Sequence, residues 1–144
     1  MEQKLITFFE KVNQIRKGAL SFEGTPKDKM DYLINKMNVL LTSDEYEIYD
    51  WKNGEKLNSI PETDTIEEYQ LKYTAYNGKE IPLDTRIEGI VFHIFVLFDG
   101  CSSLNDLNNI FIFDKKDNSY LNRFTVLHEE WGQYLYQLEN VENC

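Results

Sequence analysis

Apolar residues fall at helical spacing near the start of the chain, where Leu5, Phe8, Phe9, Val12 and Ile15 form one stripe and Gly18 follows. Recurrence at three and four predicts an amphipathic helix over residues 2–17, closed by the glycine. Thr25-Pro26 then supplies a capping hydroxyl and the proline favoured at the first helical position. Met30, Leu33, Ile34 and Met37 carry a second stripe to about residue 38, and this second helix is expected to dock on the first.

The next stretch, residues 41–54, carries helix signals at both ends. Thr42 and Glu45 fit a capping box, with Leu41 and Tyr46 at the two staple positions. Asp44 and Glu45 fall in a first turn, where the helix dipole favours anions, and Gly54 stands where a left-handed terminal residue is needed. The expectation is a third helix, acidic and aromatic. Residues 55–65, with Pro61 and several turn-forming side chains, read as a connection.

From Ile66 the period changes to two. Tyr69, Leu71, Tyr73 and Ala75 alternate with polar neighbours, and Asn77-Gly78 signals a hairpin leading toward Ile81. Residues 90–98 are rich in β-branched and aromatic side chains and are bounded by Gly89 and Asp99-Gly100, which predicts a central strand covered on both faces. Ser103 with Asp106 suggests a short helix over residues 104–109, and Phe111-Ile112-Phe113 another strand. Residues 114–119 read as a charged turn, after which Phe124 and Val126, with Tyr120, alternate as one more strand. In the tail Trp131, Tyr134, Leu135 and Leu138 fit a helix, while Gly132 and the aromatics also allow a strand; helix is the favoured reading. Helices first and strands afterwards, with no repeat or linker between them, predict an α+β fold. In it the N-terminal helices pack on one face of a mostly antiparallel sheet, as a single domain over residues 1–144.

Composition narrows the partners. Apolar residues make up 42% of the 144, and nine Phe and nine Tyr dominate the 14% that are aromatic, so a chain of this size can bury a core without staples. The formal charge of −10 opposes a phosphate-binding surface, and nucleic acid is not an expected partner. Residues 44–68 hold nine acidic side chains against Lys52 and Lys56, so most of the excess is local. Two cysteines, Cys101 and Cys144, with no basic-then-apolar leader, point to a reduced, cytoplasmic protein rather than a disulfide scaffold. The longest apolar run is too short to span a bilayer, and no membrane association is expected.

Candidate chemistry is sparse. His93 lies in the most apolar run and reads as a core histidine; His128 precedes Glu129-Glu130 without the spacing that sets two metal ligands on one helix face. No metal site is expected. Glycine-rich phosphate cradles are missing from the sequence, so no nucleotide cofactor is expected either. Glu67 and Glu68 are neighbours on an expected strand and would point to opposite faces, which does not make an acid–base pair. Cys101, in Asp99-Gly100-Cys101-Ser102, is the one candidate nucleophile, with His93 or His128 as base, and gives the alternative of a cysteine-dependent hydrolase or transferase. A binding protein without catalytic residues is the preferred reading.

Tyr49, Trp51, Asn53 and Gly54 form an aromatic pair followed by a turn at close spacing, and Ser103-Leu104-Asn105-Asp106 follows the apolar run. Together they resemble the SUKH superfamily of fungal cell-wall-assembly regulators and bacterial immunity proteins. In that family a helix commonly ends in an aromatic and an Asn-Gly or similar turn before the sheet, and a Ser-Leu segment opens a later helix. The resemblance covers about residues 28–107. The chain departs from the family in lacking a proline in Phe95-Val96-Leu97-Phe98, and its last third matches nothing distinctive. The resemblance implies a non-enzymatic protein that binds another protein, in bacteria typically a toxin that it neutralises, or a regulatory scaffold of the same fold. An acidic surface suits a basic toxin, and Asp44, Glu47, Asp50, Glu67 and Glu68 are the expected contacts. Trp51, beside a glycine, is expected to pack across the following turn instead.

Overall fold

The computed structural model describes residues 1–63, 66, 81–100 and 109–142. Helix α1 (Gln3–Ser21) and helix α2 (Pro26–Leu41) come first, followed by strands β1 (Tyr46–Asp50) and β2 (Glu55–Leu57). Helix α3 (Leu83–Phe98), strands β3 (Ile110–Asp114) and β4 (Ser119–Tyr120), and helix α4 (Leu127–Glu142) complete the order. The four strands run antiparallel in the order β2-β1-β3-β4. The fold is α+β, with helices layered on one face of this sheet, as the sequence pattern predicts.

The two N-terminal helices form where their stripes predict. In α1 the buried set is Leu5, Phe8, Phe9, Val12, Asn13 and Ala19, and the helix runs through Gly18 rather than stopping there. A Cβ on Gly18 would lie 3.1 Å from the Tyr32 hydroxyl, so this glycine permits the close approach of α2. Thr25 caps α2 with a reciprocal box: its hydroxyl accepts from Asp28 N and the Asp28 carboxylate accepts from Thr25 N.

The stretch expected as a third helix instead holds the central strand β1 and the loop of its hairpin with β2. Thr42 does not start a helix; it ends α2, donating its hydroxyl to Asn38 O at 2.7 Å. The Ser43 hydroxyl then accepts from Glu45 N and Tyr46 N and turns the chain into β1. Within β1 the pattern is alternation, with Tyr46 and Ile48 buried toward the helices and Glu47 and Tyr49 on the other face. Gly54 does adopt a positive φ of 66°, but as the end of a hairpin loop, where its N–H donates to Asp50 O at 2.8 Å. Part of the expected connection, Glu55–Leu57, pairs with β1 as β2.

The apolar run 90–98 is also corrected, from central strand to the second half of α3. Its buried positions, Arg86, Ile87, Ile90, Val91, Ile94, Phe95, Leu97 and Phe98, recur at three and four, and the helix packs against α1, α2, α4 and β3. A helix covered on so many sides is apolar nearly all round, which erases the amphipathic signal and imitates a buried strand. Phe95 ties the layer together, with ring centroids 6.2 Å from Phe8, 5.8 Å from Phe9 and 5.7 Å from Trp131. Phe8 continues the seam to Tyr46 of β1 at 5.2 Å, edge to face. Each such pair contributes about 0.5–1.5 kcal/mol beyond its buried area. Beside this seam Arg16 donates to the buried Asn13 Oδ1 and pairs with Glu88 of α3 at 2.8 Å, while burial pushes the Glu88 carboxyl up.

Strand β3, the charged turn after it and the terminal helix fall where the sequence places them. Phe124 and Val126 do not form a strand: they lie in an exposed loop between β4 and α4, and Tyr120 alone of that set is in β4. Ile66, where the alternation was expected to begin, is helical and buried. The strand of Tyr69, Leu71, Tyr73 and Ala75, the Asn77-Gly78 hairpin and the short helix after Ser103 lie outside the described residues. Among the described residues, no helix is long and apolar enough to cross a membrane.

Candidate functional site

The outer face of the sheet, turned away from the helices, is where the exposed chemistry collects. Directly opposed residues of an antiparallel pair share a face, so the register sets Glu47, Phe113 and Tyr120 in one row and Lys56, Tyr49 and Phe111 in the next. β3 is apolar on both sides because Ile110 and Ile112 face the helices while Phe111 and Phe113 build this second surface. Trp51 follows β1 and is held by its N–H donating to Asn109 O at 3.1 Å. Its ring stands edge-on to Phe111 at 4.7 Å and to Tyr120 at 5.9 Å. Tyr120 also meets Phe113 at 5.3 Å and Tyr49 at 6.4 Å, which makes it the centre of the cluster.

The rim of this cluster is open. Trp51 is 48% exposed and Phe124 is 90% exposed, with the Arg123 guanidinium carbon 5.6 Å from the first ring and 5.5 Å from the second. A cleft of about 340 Å³ opens beside them, lined by Lys4, Phe113, Tyr120, Arg123 and Phe124 among others. Lys4 is fixed there by donating to Ser119 Oγ at 2.7 Å and Tyr120 O at 3.2 Å.

At the opposite side of the face Glu47 is enclosed by three donors. Tyr49 donates its hydroxyl to Glu47 Oε2, and Lys115 and Lys56 approach Oε1 at 2.9 and 3.2 Å. The Tyr49 hydroxyl bond, with the two ammonium groups, holds the Glu47 carboxyl down to about 2, and the same bond pushes the Tyr49 hydroxyl up to about 12. Neither group changes protonation near neutral pH, so this pair is suited to fixed charge rather than proton transfer.

The sequence-predicted acidic contacts are dispersed. Asp44 is exposed in the turn before β1, and Asp50 closes the other end of that strand, its carboxylate accepting from Lys52 N at 3.1 Å and Asn53 Nδ2 at 3.3 Å. Glu47 lies between them and is already ion-paired; Glu67 and Glu68 lie outside the described residues, as does Cys101. Trp51, expected to pack across the following turn, meets Phe111 of β3 and Tyr120 of β4 instead, and keeps nearly half its surface in solvent.

The histidines are placed apart from this face. His93 lies on α3 beside Phe92, and burial holds its imidazole below the usual range. His128 opens α4, with Nδ1 2.6 Å from Asp99 Oδ2. The two Asp99 oxygens also accept from Leu127 N and His128 N, each at 2.9 Å, so this carboxylate at the end of α3 caps α4. Among the described residues no group of His, Cys, Asp and Glu is arranged to hold a metal ion.

Arg123, Phe124 and Tyr120 were not singled out as contacts in the sequence. The available signals were Arg123-Phe124 in an otherwise polar loop and a strand, Ile110-Phe111-Ile112-Phe113, apolar on both faces beside a strand with polar outer positions. No family model, curated protein or solved structure matches the chain.

Proposed function

We propose that this chain is a non-enzymatic protein-binding domain of the SUKH kind, acting in the cytoplasm as an immunity protein that occludes a basic toxin. The observation that carries the reading is the open aromatic rim of Trp51, Arg123 and Phe124 on the outer sheet face. Trp, Tyr and Arg are the residue types that dominate binding energy at interfaces, and here they are clustered, with Trp51 in the turn after β1, Tyr120 in β4 and Arg123 in the loop that follows it. The net charge of −10 supports a basic partner, because it accelerates encounter with a positively charged protein. In this reading Asp44, Glu67 and Glu68 steer, Glu47 and Asp50 hold the surface in shape, and the aromatic rim makes the contact.

Co-expression and pull-down with a basic, toxin-like protein encoded by an adjacent gene tests the proposal. Trp51→Ala and Phe124→Ala are each expected to weaken binding about tenfold or more, the loss typical of an interface hot spot. Unchanged affinity in the doubly substituted chain, with its helical circular dichroism intact, would overturn the rim as the contact. Complete failure of the wild-type chain to capture that protein, or to protect cells from it, would overturn the immunity reading.

A further inference from the structure

Among the described residues Lys4, Lys56, Lys115 and Arg123 stand around the outer sheet face, and they are not equivalent. Lys56 and Lys115 are paired with Glu47, and Lys4 stands 3.7 Å from Glu2 and 3.6 Å from Asp117. Arg123 has no carboxylate within ion-pair distance among the described residues; its described partners are the rings of Trp51 and Phe124. Stacking of this kind holds a guanidinium in position while leaving its N–H donors unfilled, and those donors match a carboxylate in the plane of the group. The cleft beside it is lined by the rings of Phe113, Tyr120 and Phe124, and Glu2, which also lines it, is 3.7 Å from Lys4.

We propose that the cleft beside Arg123 binds an acidic side chain, Asp or Glu, next to an apolar residue in an exposed segment of a protein partner. The carboxylate meets the Arg123 guanidinium and the neighbouring apolar side chain covers Phe113 and Tyr120. Charge selects this occupant. A molecule of net charge −10 repels phosphate-rich polymers, whereas one carboxylate on a protein segment adds little repulsion and meets, in Arg123, a guanidinium held by aromatic rings that has no ion-pair partner among the described residues. The inference deepens the protein-binding reading and rests on it, by fixing orientation: a mainly basic partner drawn in by net charge would be registered by the contact of one of its acidic groups with Arg123.

An NMR titration of the full chain with a blocked tetrapeptide of leucine, glutamate, phenylalanine and leucine tests this directly. The Trp51 indole N–H and the Arg123 Nε–H are expected to shift and saturate, while the glutamine version of the peptide binds at least tenfold more weakly. Arg123→Gln should abolish the discrimination between the two peptides and Arg123→Lys should retain only part of it, since an ammonium lacks the planar fork. Equal binding of the glutamate and glutamine peptides, no shift at either reporter at millimolar peptide, or tighter binding of a phosphoserine version would each overturn the assignment. Partner capture that is lost in Trp51→Ala but survives Arg123→Gln would sink this inference while leaving the protein-binding reading in place.

Discussion

Asn122 carries out with a side chain what a strand would do with its backbone. β4 ends at Tyr120, and after Leu121 N donates to Ile112 O at 2.8 Å the buried Asn122 amide takes over the ladder. Its Oδ1 accepts from Ile112 N at 2.9 Å and its Nδ2 donates to Ile110 O at 2.8 Å. Removing the amide leaves two buried backbone groups unpaired, each costing about 1–3 kcal/mol, so Asn122→Ala should destabilise the chain by about 2–4 kcal/mol in urea denaturation. Asn122→Asp should rescue only the Ile112 contact, because a carboxylate has no donor for Ile110 O. Glu47 is a residue of the opposite kind, held by charge on the open face. Its carboxyl sits at about 2 in the fold against an ordinary value of 4.5, so its contribution to stability is present above pH 4.5 and is lost as pH falls toward 2. Acid titration of denaturation midpoints should show a shallower decline over that window in Glu47→Gln than in the wild type. Little of this was legible from Glu47 or Asn122 alone, because Tyr49 is a neighbour of Glu47 along β1 but Lys56, Lys115, Ile110 and Ile112 come to their partners only through strand pairing.

Among the elements, α1 and α2 were readable because one face of each meets solvent and the other meets the core, which writes the period into the sequence. Strand β1 was not. Thr42, Asp44, Glu45 and Gly54 are the residue types of helix ends, and all four serve a helix terminus or a turn here, but those of α2 and the β1–β2 hairpin. What makes residues 46–50 a strand is the presence of β3 on one side and β2 on the other. Helix α3 failed to show for the complementary reason, since burial on most sides leaves no polar face to reveal its period. The cap of α4 is likewise a tertiary device, supplied by Asp99 at the end of α3 from 28 residues earlier. Asp99→Ala is expected to cost about 1–2 kcal/mol, and hydrogen exchange at the first turn of α4 should quicken more than exchange in α1.

At the scale of the whole molecule, charge and contact are divided. Net charge acts at a distance and is screened by salt, whereas the Trp51–Arg123–Phe124 rim acts only on touching. Raising ionic strength is therefore expected to slow association with a basic partner about tenfold or more while leaving dissociation nearly unchanged, which stopped-flow or surface-binding kinetics can separate. Charge reversal at Asp44 should act on the same association rate, and substitution of Trp51 on dissociation. The sequence by itself determined the α+β class, the N-terminal helices, β3 and the acidic balance and favoured the terminal helix, because periodicity and composition are properties of neighbouring residues. Only the tertiary structure decided that 46–50 is a strand, that 83–98 is a helix, and that Trp51, Tyr120 and Arg123 meet on one face. Those outcomes depend on strand register and on which surfaces are covered, and both are set by residues far apart in the chain.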